Sequence, residues 1–88
     1  MNNQRRKKLS KIKLDLENNL KEISSCKDEI ENILSEEDDA FSNIPENLQD
    51  SDRAMDSEMA IEDLNSCIEQ LDEAISQIEE TCNYIDGI

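Results

Sequence analysis

Two runs of heptad spacing, separated by the chain's one proline, constrain this 88-residue sequence more than any other feature in it. With Leu9 as position a of the first run, a falls on Leu9, Leu16, Ile23, Ile30 and Glu37, and d on Ile12, Asn19, Cys26, Ile33 and Ala40. In the second run, a falls on Ala54, Ile61, Ile68, Ile75 and Cys82, and d on Ser57, Leu64, Leu71, Ile78 and Ile85. Apolar residues recurring at a 3.5-residue period over about four heptads are the pattern of coiled-coil helices. Alternation by two, which a half-buried strand needs, fails in both runs. One glycine and one proline are also too few for the repeated turns of an all-β domain.

The predicted fold class is therefore all-α: a helix over about 4–42, a turn over about 43–50 and a helix over about 51–86, forming one helical-hairpin domain across residues 1–88. Pro45 pushes Ile44 out of helical geometry and ends the first helix. Asp50 or Ser51 is the expected N-cap of the second, with Asp52 and Asp56 in its first turn where the helix dipole favours anions. Gly87 followed by Ile88 predicts a Schellman end. A short connection makes the two helices antiparallel neighbours, which sets Leu9 opposite Tyr84 and Ile85, Asn19 opposite Ala74, and Cys26 opposite Cys67.

A second row on each helix adds to the pattern. The second helix carries small residues at position g: Ala60, Cys67, Ala74 and Thr81. The first carries bulk at e: Leu20, Leu34 and Phe41. One seam between two helices cannot cover all of this, and a lone pair is marginal against about 1–2 kcal/mol of backbone entropy per ordered residue. The expectation is a homodimer, most simply a four-helix bundle.

Charge is unevenly spread. The net charge is −14, yet residues 1–13 hold six basic side chains (Arg5, Arg6, Lys7, Lys8, Lys11, Lys13) and no acidic one. The remainder holds three basic and 23 acidic side chains. Such a field repels nucleic acid and anionic membranes and attracts basic protein surfaces. No run approaches the ~20 apolar residues of a membrane span, and the basic start leads into no uninterrupted apolar region of the kind an export signal needs. A cytoplasmic setting with reduced thiols is expected for Cys26, Cys67 and Cys82.

Several chemistries are weighed and set aside. Reading Asp50, Asp52 and Ala54 as the start of an EF-hand loop puts Met55 where glycine is required and Ile61 where the bidentate Glu belongs. Zinc lacks a Cys-x-x-Cys pair, and the sequence has no histidine. The cysteines read as small core residues, with a Cys26–Cys67 disulfide open only under oxidation. Asn19, at a core d position, reads as a group that fixes register. With no nucleophile–base pairing, no phosphate loop and nothing to raise a carboxylate's pKa, no enzyme activity, cofactor or metal is expected.

The turn "AFSNIPENLQDSDR", followed by "AIEDLNSCIEQLDEAISQIEE" after a basic "NNQRRKKLSKI" start, resembles a group of small acidic helical proteins of phages and prophages. That group shows a Phe–x–Asn–x–Pro–Glu–x–Leu–Gln turn, matched here by Phe41, Asn43, Pro45, Glu46, Leu48 and Gln49. The resemblance implies a phage-related setting and two helices, and carries over no catalytic or binding residue.

Two functional expectations follow. The first is a non-catalytic protein-binding module that presents an anionic face to a basic surface of a host protein. In a phage setting, it would mimic nucleic acid against a host nucleic-acid-binding or defence protein of the CRISPR or restriction type. Its face would be Glu36, Glu37, Asp38, Asp39, Asp50, Asp52, Asp56 and Glu58, because placing Glu36–Asp39 at a helix C-terminus, against the dipole, invites a basic counterpart. A solubilising role is the bland alternative. The second expectation is a dimeric coiled-coil adaptor that docks a partner helix on Leu20, Leu34, Phe41 and Met59.

Overall fold

The computed structural model describes residues 1–88 and contains two long helices and no strand. Helix α1 spans Asn3–Ser42 and α2 spans Asp52–Asp86, joined by a reversal that includes a single 3₁₀ turn at Glu46–Leu48. The helices pack side by side as an antiparallel hairpin, a rod 69 × 15 × 14 Å.

Local chemistry sets the ends. The Asn2 side chain accepts the Arg5 backbone N–H at 2.8 Å and caps α1. Ser51, rather than Asp50, caps α2 by accepting from the Ala54 N–H at 3.2 Å, which satisfies one of the orphan donors of a helix N-terminus. Within the reversal, Gln49 Nε2 donates to the Ile44 carbonyl at 2.9 Å. Phe41 and Ile44 are half-buried there and cover the end of the seam, whereas Leu48 stays 49% exposed. The Schellman end is not formed. Gly87 has φ −76° and ψ −12°, still right-handed, and its N–H reaches back to the Asn83 and Tyr84 carbonyls. The helix simply runs out in a tightened last turn.

Helix α2 buries the rows its periodicity predicts. Ala54, Ser57 and Cys82 are buried, and Ile61, Leu64, Ile68, Leu71, Ile75, Ile78 and Ile85 are half-buried along the same rows, with Ala60 and Ala74 of the g row half-buried beside them. In α1 one row differs. The covered positions are Leu9, Lys13, Leu16, Leu20, Ile23, Lys27, Ile30, Leu34, Glu37 and Phe41. The a row therefore pairs with the e row. The expected d row of Ile12, Asn19, Cys26, Ile33 and Ala40 faces out, with Ile12 50% and Ile33 51% exposed.

The physical reason lies in side-chain size and partner charge. The e row supplies Leu20, Leu34 and Phe41 where the d row offers Asn19, Ile33 and Ala40, so the gain in apolar size falls at Leu20 and Phe41, and buried apolar area drives the choice. The cost of the e row is Lys13 and Lys27 in the seam. Both are long enough to cover apolar neighbours with their stems while the ammonium reaches a carboxylate at the edge. Asn19 is thus not a seam residue, and Cys26 and Cys67 are exposed rather than core; among the thiols only Cys82 is buried. Leu20, Leu34 and Phe41 are occupied within the hairpin, so of the residues expected to dock a partner helix only Met59, 62% exposed, is free.

Candidate protein-binding surfaces

Polar groups in the seam divide the rod into two unlike flanks. Lys13 Nζ pairs with Asp86 on α2 and lies 3.8 Å from Glu17. One heptad pair further along, Lys27 Nζ pairs with Asp72 at 2.5 Å and with Glu31 at 3.6 Å. In each case the hydrogen bond to the aspartate holds the lysine above its ordinary pKa, aided by the Coulombic pull of the two neighbouring carboxylates and opposed by partial desolvation. At the far end, Ser57 Oγ donates to Glu37 Oε1 at 2.5 Å. The three contacts run in strict antiparallel order along the rod.

These pairs identify what lies on each side. On one flank, the α1 row Ser10, Glu17, Ser24, Glu31, Asp38 meets the α2 row Glu58, Asn65, Asp72, Glu79, Asp86. Seven of those ten side chains are carboxylates. The opposite flank joins Ile12, Asn19, Cys26, Ile33 and Ala40 of α1 to Ala60, Cys67, Ala74 and Thr81 of α2, nine positions without a charge. A shallow apolar groove opens there between Ile30, Cys67 and Leu71, edged by Ser66 and Gln70. Arg5 and Arg53 stand at the far ends of these two rows.

The eight carboxylates singled out in the sequence do not form one face. Glu37 turns into the seam and is half-buried against Ser57. Asp38 and Glu58 belong to the acidic flank. Glu36 and Asp56 rim the apolar flank, and Asp39, Asp50 and Asp52 project from the tip. None of these eight is in an ion pair, and Arg53, the cation nearest to them, makes none either. Sequence reasoning missed Glu17, Glu31, Asp72, Glu79 and Asp86 as a continuous strip. The signal was present in Lys13 and Lys27, fourteen residues apart, matched by Asp72 and Asp86 at the same spacing.

No group of three or more His, Cys, Asp or Glu side chains is arranged to hold a metal ion. No helix is long and apolar enough to cross a membrane. No protein family, curated protein or solved structure matches this chain.

Proposed function

We propose that this chain is a non-catalytic protein-binding module that works as a homodimeric four-helix bundle and offers its carboxylates to a basic protein surface. The observation that carries the reading is the segregation of charge: seven carboxylates on one flank, four of them paired with Lys13 and Lys27, and an uncompensated acidic tip, against an uncharged opposite flank. Over the 69 Å rod, 23 carboxylates amount to about one per 3 Å of axis, close to the roughly 3.4 Å between phosphates along one strand of B-DNA. The net charge of −14 is sparser, about one per 5 Å. A basic groove evolved for phosphates is the matching surface. In the phage-related setting implied by the turn motif, that groove belongs to a host nucleic-acid-binding or defence protein in the bacterial cytoplasm.

The reading is tested by capture from bacterial lysate at about 0.15 M and about 0.5 M salt, where screening lengths shrink well below the rod's dimensions. A specific basic partner retained at the lower salt, lost at the higher and displaced by duplex DNA is the expected result. The quadruple variant Asp38→Asn, Asp39→Asn, Asp50→Asn, Asp56→Asn should keep its helical circular dichroism and associate more slowly. Unchanged capture by that variant at the lower salt would refute the anionic reading.

A further inference from the structure

The uncharged flank has no occupant within the hairpin. We propose that it binds a second copy of this chain, with the two hairpins antiparallel so that each acidic tip lies beside the other's basic start. The inference rests on the self-association part of the reading above and is independent of the basic target.

Area is the first argument. The chain exposes 6844 Å² for a mass of 10.1 kDa, whereas a compact monomer of that mass exposes about 5,300 Å² by the usual surface scaling. The excess, about 1,500 Å² per chain, comfortably exceeds the roughly 800 Å² per partner of a stable interface. Only Ala54, Ser57 and Cys82 are buried in the whole chain, so the hairpin is half of a core. The acidic flank is the poorer candidate for the other half, because joining two such strips would bring together their unpaired carboxylates, Asp38, Glu58 and Glu79 of each copy.

Orientation follows from charge. Residues 36–58 carry nine acidic side chains and Arg53, whereas residues 1–13 carry six basic ones. A parallel dimer would put both tips together and concentrate eighteen carboxylates at one end. The antiparallel dimer relieves that repulsion with Arg5 and Lys8, at the cost of setting Asp15 opposite Glu29 and Glu22 opposite its own copy along the solvent-exposed outer rim.

Register follows from the rod's midpoint, which falls near residues 22–23 of α1. Two-fold symmetry about that point sets Ile12 of one copy against Ile33 of the other, Asn19 against Cys26, and Lys8 against Glu36. On α2 it brings Cys67 near Ala74 and Ala60 near Thr81, small residues that let two helices approach closely. The two exposed isoleucines thus meet each other, and both acidic flanks face outward.

The test uses the unmodified protein. Sedimentation equilibrium at low to high micromolar concentration should give twice 10.1 kDa. Zero-length carbodiimide cross-linking, read by mass spectrometry, should then join Lys8 to Glu36. Within one chain those residues are twenty-eight positions apart on a single helix, about 42 Å, so that link forms only between antiparallel copies. A monomeric mass across the range overturns the proposal. So does a dimer that lacks the Lys8–Glu36 link, or one whose cross-links join the acidic flanks. As a second arm, Asn19→Cys should yield a disulfide-linked dimer through Cys26 on non-reducing gels. Within one chain the introduced thiol sits two helical turns from Cys26, too far for the two to bond to each other.

Discussion

Leu20 and Leu14 bear directly on how the hairpin is held together, because the same substitution at the two sites has different consequences. Leu20 lies in the seam of α1, half-buried against α2, while Leu14 points away from it and is 58% exposed. Leu→Ala removes about three methylene equivalents, each contributing about 0.8 kcal/mol when buried. In the seam that is about 2 kcal/mol, and a residual cavity brings it to about 2–3 kcal/mol. At Leu14, where more than half of the side chain is already in water, the same count gives less than about 1 kcal/mol, partly offset by alanine's better helix propensity. A change of 1 kcal/mol moves Tm by about 4–8 °C in a domain of this size. Leu20→Ala should therefore lower Tm by about 10–20 °C and Leu14→Ala by no more than about 5 °C, compared at equal protein concentration because association shifts Tm by mass action. Thermal denaturation followed by circular dichroism decides it. If the two variants melt together, the e row of α1 is not the seam, and the outward placement of Ile12 and Ile33 falls with it.

Other consequences are as direct. Ser57→Ala leaves the half-buried Glu37 carboxylate without its donor and should cost about 1–2 kcal/mol in urea denaturation; Glu37→Gln, which still accepts from Ser57, should cost less. Lys13 and Lys27 have folded pKa values raised above 10.5, so their stabilisation is fully present below the unfolded-state pKa and is lost as pH rises through the folded one. Wild type should therefore lose more Tm above about pH 10.5 than the Lys13→Met, Lys27→Met variant, and an equal loss would dissociate the ammonium groups from stability. Cys26 and Cys67 are exposed in a single chain and covered in the proposed dimer; maleimide should label two thiols rapidly on dilution and none at high concentration, with Cys82 slow throughout. Gly87 is right-handed, and an added Cβ would meet the Tyr84 carbonyl at 3.5 Å, an ordinary contact. Gly87→Ala should then be neutral or stabilising by up to about 1 kcal/mol; a loss would indicate a left-handed end.

The two helices, their antiparallel order and the reversal at Pro45 could be read from the residues because each depends on local rules: a period, a φ restriction, a capping side chain. The a and d seam positions of α2 followed from the same rules, since every isoleucine and leucine of that helix lies in a single pair of rows. In α1 three rows compete. Counting apolar residues favours d, where Ile12, Cys26, Ile33 and Ala40 outnumber the Leu20, Leu34 and Phe41 of e. Counting cannot weigh a leucine against an alanine, and it scores a seam lysine as a failure. The Gly87 expectation went astray because a glycine permits a left-handed cap without requiring one, and Gly87 keeps right-handed geometry.

The choice between rows is settled across the hairpin, and the same contacts decide the candidate sites. In α1 alone, Lys13 and Lys27 are defects at seam positions. Beside α2 they are the groups that Asp86 and Asp72 require, and the shared spacing of fourteen residues means that a slip by one heptad would leave an ammonium or a carboxylate at the edge without its counterpart. Exposed ion pairs add little stability, yet they can select one arrangement over its near-equals. Once the lysines turn toward Asp72 and Asp86, the carboxylates must share their flank, and the d row of α1 is left on the other with Cys67 and Ala74. The acidic strip and the apolar flank are thus two results of one register, which is why neither could be assigned from either helix read alone.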